Sequence, residues 1–192
     1  MSVLPITTVG DPILRRRAHE IADDELASAA VQAFIDDLVE TKRAANGAGL
    51  AANQVGDLRR IAVVEVEPGN PRYPYKPAFP LTVLVNPELE PLDDETFEVN
   101  EGCLSVPGLR GALARFAGVR VRFLDRHGER RELVVRGLTA GTFQHEVDHL
   151  DGVLFLDRVA DPASFTTWEQ FERFGREEFE AHAREIVERF GS

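Results

Sequence analysis

The chain lacks most of the features that mark secreted, membrane-spanning or disulfide-stabilised proteins. It has one cysteine among 192 residues, which excludes an intramolecular disulfide and agrees with a reducing cytosol. Its longest apolar runs, 60–66 and 81–85, have the length of strands and are too short to cross a bilayer. Segment 1–20 has no continuous apolar stretch of the kind a secretory signal needs. These absences predict a cytoplasmic protein with no membrane association.

Positive charge is also scarce. The sequence has 33 acidic residues against 22 basic ones, and its formal net charge is -11. Because clustered lysine and arginine are needed to bind phosphate groups, this deficit argues against a broad surface for DNA or anionic membranes. One short basic run, 14–19, is interpreted as a solvated loop.

The composition is that of a globular chain with one core. With 43% hydrophobic residues, 192 residues can bury one sizeable core but hardly two, so 1–192 is predicted to form a single domain. The predicted elements run in the order helix, strands, helix, helix. This order favours an α+β fold with a mostly antiparallel sheet over a doubly wound parallel one.

The first helix is predicted from its apolar spacing. Asp23 or Asp24 is a plausible N-cap, and apolar residues recur every four positions from there to about Ala45. Segment 46–56 follows, where glycines interrupt any regular period. Gly47 could act as the C-cap of the helix, or it could let the backbone approach a bound peptide closely.

Several strands are predicted after this helix. The segment 67–80 carries five prolines and is interpreted as an ordered surface excursion or flap. A turn sequence with Gly128 separates the last two strands and predicts a hairpin. The strand-like runs are 60–66, 81–86, 95–100, 119–124 and 131–138.

The C-terminal part is predicted to be helical. One helix begins near Thr139 and becomes the centre of the fold. A second, long helix occupies about 163–190, with a partly apolar stripe and a weak point at Gly175.

The central helix contains the sequence QHEVDHLDG. His145 and His149 are four residues apart, so on a helix they project from one face and can reach the same divalent ion. Glu146 points aside and can act as a general base on water at that ion. The pattern predicts a metal site, although a helix with solvent-facing histidines gives the same spacing.

A catalytic site of this type normally needs a third protein ligand. The metzincin extension fails, because Phe155 stands where that motif needs histidine. Glu169 would give a thermolysin-like endopeptidase, but its surroundings are rich in glutamate and the match carries little weight. Cys103 offers a thiolate, which binds such ions strongly. A lone cysteine is more often a small buried residue, but Gly102 and the turn residues around Cys103 favour a ligand.

Three short motifs resemble those of the peptide deformylases. They are GAGLAANQ at 47–54, EGCLS at 101–105 and QHEVDHL at 144–150. Their joint occurrence in this order is highly specific. The similarity extends more loosely to about residue 157 and leaves the C-terminal helix outside it.

The resemblance implies a function and a set of roles. Cys103, His145 and His149 would bind one divalent metal ion, with Fe²⁺ expected and Zn²⁺, Ni²⁺ or Co²⁺ as alternatives. Glu146 would be the general acid and base in removing the formyl group from the N-terminal formyl-methionine of new polypeptides.

The resemblance also implies groups that bind the substrate and stabilise the reaction. The Gln54 amide and the Leu104 backbone N–H would stabilise the negative charge that develops on the formyl oxygen. Ala48 stands where the family commonly has a larger residue, which bears on the shape of the methionine pocket. The substrate path would be formed by Ala48, Gly49, Gly102, Arg110 and Leu138.

Two further predictions concern charged residues near the cysteine. Arg110 could equally be a solvated arginine, and Glu101 and Arg115 are expected to pair behind the cysteine.

Some deformylases dock on the ribosome through a basic C-terminal helix, but 163–192 has four arginines against seven glutamates, which argues against such docking here. A zinc endopeptidase and a non-catalytic metal-binding module are the rival interpretations.

Overall fold

A computed structural model describes residues 2–191 and shows two antiparallel sheets. The larger sheet has five strands, and each pairs with its neighbour in antiparallel register. In spatial order they are β1 (Gly49–Ala51), β2 (Ile61–Val66), β3 (Phe79–Pro91), β6 (Gly118–Leu124) and β7 (Arg130–Arg136). The predicted α+β class is confirmed, and the predicted hairpin is the β6–β7 pair.

The smaller sheet has three strands and was not predicted as a separate unit. They are β4 (Thr96–Cys103), β5 (Val106–Phe116) and β8 (Thr166–Thr167). Strand β5 was missed because its glycines and arginines conceal the alternation of buried and exposed residues. Strand β4 extends beyond the predicted run at 95–100 and ends at the cysteine.

Helices and short turns fill the space around the sheets. The α-helices are α1 (Asp23–Leu26), α2 (Ala29–Ala44), α3 (Gly137–Leu150), α4 (Trp168–Gln170) and α5 (Arg176–Phe190). Single 3₁₀ turns occur at Pro12–Arg15, Ala52–Val55, Phe155–Arg158 and Pro162–Ser164, and a π-helical turn at Phe171–Gly175. Within residues 2–191, every helix is too short or too polar to span a bilayer.

The first predicted helix is divided in two. Ser28 has extended backbone angles, and its hydroxyl accepts a hydrogen bond from Val31 N, so it caps a new helix instead of continuing the old one. The end of α2 also differs from the prediction. Asn46, not Gly47, adopts the left-handed conformation that follows the helix, with φ 52°. Asparagine tolerates this conformation better than most residues.

The long C-terminal helix begins later than predicted. Residues before Trp168 form a 3₁₀ turn and strand β8, because Thr167 is extended and its side chain caps α4. Gly175 ends the π-helical turn that separates α4 from α5, in agreement with its expected weakness in a helix.

Helix α3 lies at the centre and contacts strands of both sheets. Nearly all of its residues are buried, and Phe143 and Leu150 pack into the core of the larger sheet. Helix α5 packs Phe179 and Ile186 against the smaller sheet and the start of α3. The predicted central helix is therefore clamped from two sides, which fixes the side chains on its remaining face.

A buried ion pair joins α2 to β2. Lys42 Nζ and Arg43 Nη2 each lie 2.7 Å from a carboxylate oxygen of Glu65. Hydrogen bonds from Arg43, opposed by burial and helped by Lys42, lower the pKa of Glu65 from 4.5 to about 2. A carboxylate with a lowered folded-state pKa stabilises the fold above its unfolded-state pKa and loses that contribution as pH falls to the folded-state value.

We expect Glu65→Gln to destabilise the protein by about 3 kcal/mol at pH 7, because Lys42 then stays buried without its carboxylate. The difference from the unsubstituted protein should shrink as pH falls from 4.5 towards 2. Urea unfolding across that range measures it. Glu177→Gln, at an exposed position on α5, is the control, and a difference that stays constant with pH would contradict the assignment.

Candidate metal centre and active site

Three ligand atoms from distant parts of the chain converge on one point. Helix α3 places His145 and His149 one turn apart, with their Nε2 atoms 3.3 Å from each other. Cys103 Sγ lies 3.2 Å from His149 Nε2, and the three ligand atoms all lie within 4.8 Å of one another. The strand register shifts between Gly102 and Cys103, an irregularity that turns the sulfur towards the helix.

Charged side chains orient His145 through its Nδ1 atom, on the side of the ring away from the other ligands. Glu101 Oε2 lies 2.8 Å from His145 Nδ1, so it can accept a hydrogen bond from the ring N–H and direct Nε2 towards the sulfur. Arg115 donates to both oxygens of Glu101 at 2.8 and 2.9 Å and to Asp148 at 2.6 Å. The predicted pair of Glu101 and Arg115 is present. Asp148 extends it to Arg158 at the surface.

The two histidines have pKa shifts in opposite directions. Burial alone would lower the pKa of His145, but hydrogen bonding to Cys103 and Glu101 raises it well above its usual value. Burial, together with the charge of His145, lowers the pKa of His149 well below its usual value. His149 is therefore neutral, which is the form that binds metals.

Glu146 lies beside the three ligands and is buried. Its side chain is 4% exposed, and Oε2 has no hydrogen-bond partner among the described residues. Burial raises the pKa of Glu146 to about 7. A carboxylate with a pKa near neutrality is suited to accepting and returning a proton.

Gly49 provides the space that Glu146 occupies. A Cβ atom at position 49 would lie 2.4 Å from Glu146 Oε1, closer than any such contact allows. The backbone of β1 and the carboxylate therefore touch because position 49 has no side chain. The sequence had assigned this glycine to the substrate path, and no sequence signal links it to the glutamate.

We expect Gly49→Ala to lower kcat by about 10²-fold, because the added methyl displaces Glu146 by roughly 1 Å or more. Steady-state kinetics, with metal content measured in parallel, test this. Gly175→Ala is the matched control, since a Cβ there meets only Phe171 at an ordinary 3.5 Å. Unchanged kcat in Gly49→Ala would show that the carboxylate works from another position.

Gln54 is fixed next to the sulfur. Its Oε1 accepts from Ala51 N at 2.8 Å, so its amide nitrogen points to the other side. There Nε2 lies 3.1 Å from Ser105 Oγ and 3.6 Å from Cys103 Sγ. Leu104 lies in the turn between β4 and β5, directly after the cysteine. The structure thus brings both predicted donors to the edge of the metal site.

One pocket opens at these groups and contains all the residues predicted for the substrate path. Arg110 is 1% exposed and stacks on Phe171 and Trp168 at 4.0 and 4.3 Å from their ring centres, so it is not a solvated arginine. Gly102 leaves room for the Trp168 ring, which a Cβ would approach to 3.2 Å. Ala48, Gly49, Gly102, Arg110 and Leu138 all line this pocket.

The proline-rich segment 67–80 also contributes to the pocket, which sequence reasoning missed. Tyr73, Tyr75 and Lys76 from this segment line it opposite α3. Lys76 Nζ donates to Thr142 Oγ1 at 2.7 Å. The sequence predicts an ordered surface excursion or flap, but its composition gives no sign of what the segment covers.

Two other candidates lie outside the site. Glu169, the alternative third ligand, is exposed on α4. In residues 2–191, the group of metal-ligand side chains around the two histidines is completed by Cys103. Gln144 bonds the backbone of Phe116 in both directions, at 3.0 and 2.9 Å, and therefore anchors α3 to β5.

Comparison with known proteins agrees with this geometry. The model of the polypeptide deformylase family matches residues 3–164. The chain belongs to the polypeptide deformylase family. The match includes β1, the hairpin with the cysteine, and all of α3, and it ends before α4 and α5. The family is one of metal-binding hydrolases, and the three converging ligands lie within the matched part.

Individual relatives extend over most of the chain. Peptide deformylase 2 of Nostoc sp. is 41% identical over 170 residues, which are 88% of this chain and 93% of that protein. The Met-Ala-Ser-bound crystal structure of class I type b peptide deformylase from Acinetobacter baumannii has a TM-score of 0.79 and 41% identity, covering 83% of this chain and all of the other. The peptide deformylase of Thermotoga maritima has a TM-score of 0.73 and 34% identity, covering 84% and 100%.

Proposed function

We propose that this protein is a metal-dependent hydrolase that removes the formyl group from the N-terminal formyl-methionine of newly made polypeptides. One observation carries the proposal: Cys103, His145 and His149 converge, with the buried carboxylate of Glu146 beside them. Membership of the deformylase family supports it. The similar structure from Acinetobacter baumannii binds Met-Ala-Ser, which is the product that deformylation of formyl-Met-Ala-Ser would leave.

The donor set fits a divalent ion of borderline softness. One sulfur and two imidazole nitrogens within 4.8 Å suit Fe²⁺, Zn²⁺, Ni²⁺ or Co²⁺, and the family resemblance favours Fe²⁺. Such an ion would supply Lewis-acid chemistry, lowering the pKa of a bound water and polarising the formyl carbonyl. Glu101 would keep His145 oriented for it, because the second ring nitrogen is already held.

Glu146 would move the protons of the reaction. With its pKa near 7, it can take a proton from the attacking water and give it to the nitrogen of the leaving amine. Its position against Gly49 limits how far the carboxylate can move during both transfers. The absence of competing hydrogen bonds at Oε2 within residues 2–191 leaves that oxygen available for water.

Gln54 and Leu104 would stabilise the negative charge that develops on the formyl oxygen. The Gln54 amide is held by Ala51, so its N–H groups are oriented before the substrate arrives. The Leu104 backbone N–H would act from the turn that follows the cysteine. Removing one such donor typically lowers kcat by about 10² to 10³-fold.

The peptide would bind along β1. This strand forms one edge of the larger sheet, so its outer side can pair with an extended chain, as in other cases of strand addition. Ala48 and Gly49 would approach the peptide closely, and Arg110, Gly102 and Leu138 would shape the pocket for its first side chain.

The substrates place the protein beside the translation machinery of the cytoplasm. Any contact with the ribosome would be transient, since α5 and the residues before it are acidic. In 163–192 the four arginines face seven glutamates, which disfavours binding of this helix to RNA.

An assay of anaerobically prepared protein tests the proposal. We expect about one divalent ion per chain by elemental analysis, and release of formate from formyl-Met-Ala-Ser that a chelator abolishes. Unformylated Met-Ala-Ser and an internal peptide bond should not be cleaved. Cleavage of internal bonds without formate release would favour an endopeptidase, and metal binding without any turnover would favour a non-catalytic module.

A further inference from the structure

The pocket next to the metal ligands has an unusual polar end, made of Lys76 and Thr142. Lys76 Nζ is 2.7 Å from Thr142 Oγ1 and 5.0 Å from the centre of the Tyr73 ring. The Thr142 hydroxyl donates to Leu138 O at 3.0 Å, so its oxygen accepts the hydrogen bond from Lys76. Lysine and threonine here are built into the wall of the pocket.

The position of this polar end follows from the helix. Thr142 precedes Glu146 by one turn on the same face of α3, a rise of about 6 Å. Glu146 marks where the formyl carbon reacts, and an extended first side chain of the peptide has about this reach. Thr142 and Glu146 line the same pocket. A first side chain that extends from the reacting carbon along this face of α3 would reach Thr142 and Lys76.

Lys76 has hydrogen-bond donors that Thr142 does not use. An ammonium group has three N–H donors, and within residues 2–191 the hydrogen bond to Thr142 uses one of them. Two carboxylates attract its charge, Glu101 and Glu146, and Glu101 is already paired with Arg115 and His145. Burial lowers the pKa of Lys76 to about 8, which shows that its charge is poorly solvated where it stands. A strong acceptor placed there by a ligand would complete its hydrogen bonding.

We propose that Lys76 and Thr142 extend the specificity of this enzyme to formylated peptides whose first residue is oxidised methionine, by binding the sulfoxide oxygen. The inference rests on the proposed deformylation. A thioether sulfur is a weak acceptor and gains little from Lys76, whereas a sulfoxide oxygen is a strong one. The side chain would otherwise lie against Leu138, Val99 and Phe179, which suit its methylene groups.

The test compares two substrates that differ by one oxygen atom, formyl-Met-Ala-Ser and its methionine-sulfoxide form. The ratio of their kcat/KM values, sulfoxide over thioether, is taken within each variant, so it is independent of the fraction of folded or metal-loaded protein. We expect Lys76→Met to lower this ratio by about 10-fold or more, the loss typical of a hydrogen bond to a charged group. Thr142→Val should lower it less, and Lys76→Arg should retain most of it.

Controls separate this role from a structural one. Arg130→Met, which removes an exposed positive charge on β7, should leave the ratio unchanged. If a variant has no turnover, calorimetric binding of Met-Ala-Ser and its sulfoxide gives the same comparison. An unchanged ratio in Lys76→Met, or a wild-type enzyme that deformylates only the thioether peptide, would overturn the inference and leave deformylation standing. Failure on formyl-Met-Ala-Ser itself would refute the proposed function instead.

Discussion

Replacing Glu146 with glutamine is expected to lower kcat/KM for formyl-Met-Ala-Ser by about 10² to 10⁴-fold, the usual contribution of a general acid and base. Glutamine has nearly the same volume, so it fits against Gly49, but it cannot accept a proton from water. The carboxylate is not one of the three converging ligands, and metal content should therefore stay stoichiometric. Formate release and elemental analysis on the same preparation measure both effects.

The control for this experiment is Glu177→Gln, which makes the same chemical change at an exposed position on α5. It should retain the activity of the unsubstituted protein. Full turnover by Glu146→Gln would exclude Glu146 as the base. Loss of metal together with activity would instead make Glu146 a ligand, contrary to its placement beside the group.

Replacing Cys103 with alanine is expected to release the metal and remove the activity with it. The binding free energy of a metal ion at a structural site of four ligands is about 10–16 kcal/mol, or roughly 3 kcal/mol per ligand. Loss of one ligand should therefore lower the metal affinity by about 10²-fold or more. The substitution also leaves Gln54 Nε2 and Ser105 N without the sulfur they lie against. Dialysis followed by elemental analysis measures metal retention directly.

This substitution separates deformylation from the rival endopeptidase. If Glu169 completed the site, the Cys103→Ala variant would keep its metal. Because Glu169 is exposed on α4, we expect the variant to lose its metal. His127→Ala, which removes an exposed histidine in the turn before β7, serves as the control for metal content and should behave like the unsubstituted protein. Stoichiometric metal in Cys103→Ala would contradict the proposed ligand set.

The sequence predicted some elements well and others poorly, for local physical reasons. The strand β6 has a clean alternation of buried and charged residues, so its period was readable. The break at Ser28 was missed because the apolar spacing continues across it, and only the backbone angles reveal the cap. The general preference for glycine after a helix favours Gly47 as the cap, but Asn46 adopts the left-handed conformation in the structure.

The ligand set shows how far spacing alone could go. Helix periodicity placed His145 and His149 on one face without any tertiary information. Cys103 was favoured among three candidates by its chemistry and then by the resemblance of motifs, because no rule of spacing connects a hairpin to a helix that follows it far along the chain. The shift of register after Gly102, which turns the sulfur inward, depends on pairing with β5.

By itself, then, the sequence determined the face of α3 that carries the two histidines and Glu146, and through its motifs the family. Only the tertiary structure decided that Gly49 makes room for Glu146, that Arg110 is buried among aromatic rings, and that Lys76 reaches Thr142. The physical reason is the sequence distance over which each effect acts. Helical period and residue chemistry act over a few neighbouring positions, whereas Lys76 and Thr142 are 66 residues apart and meet through the packing of the proline-rich segment over the central helix.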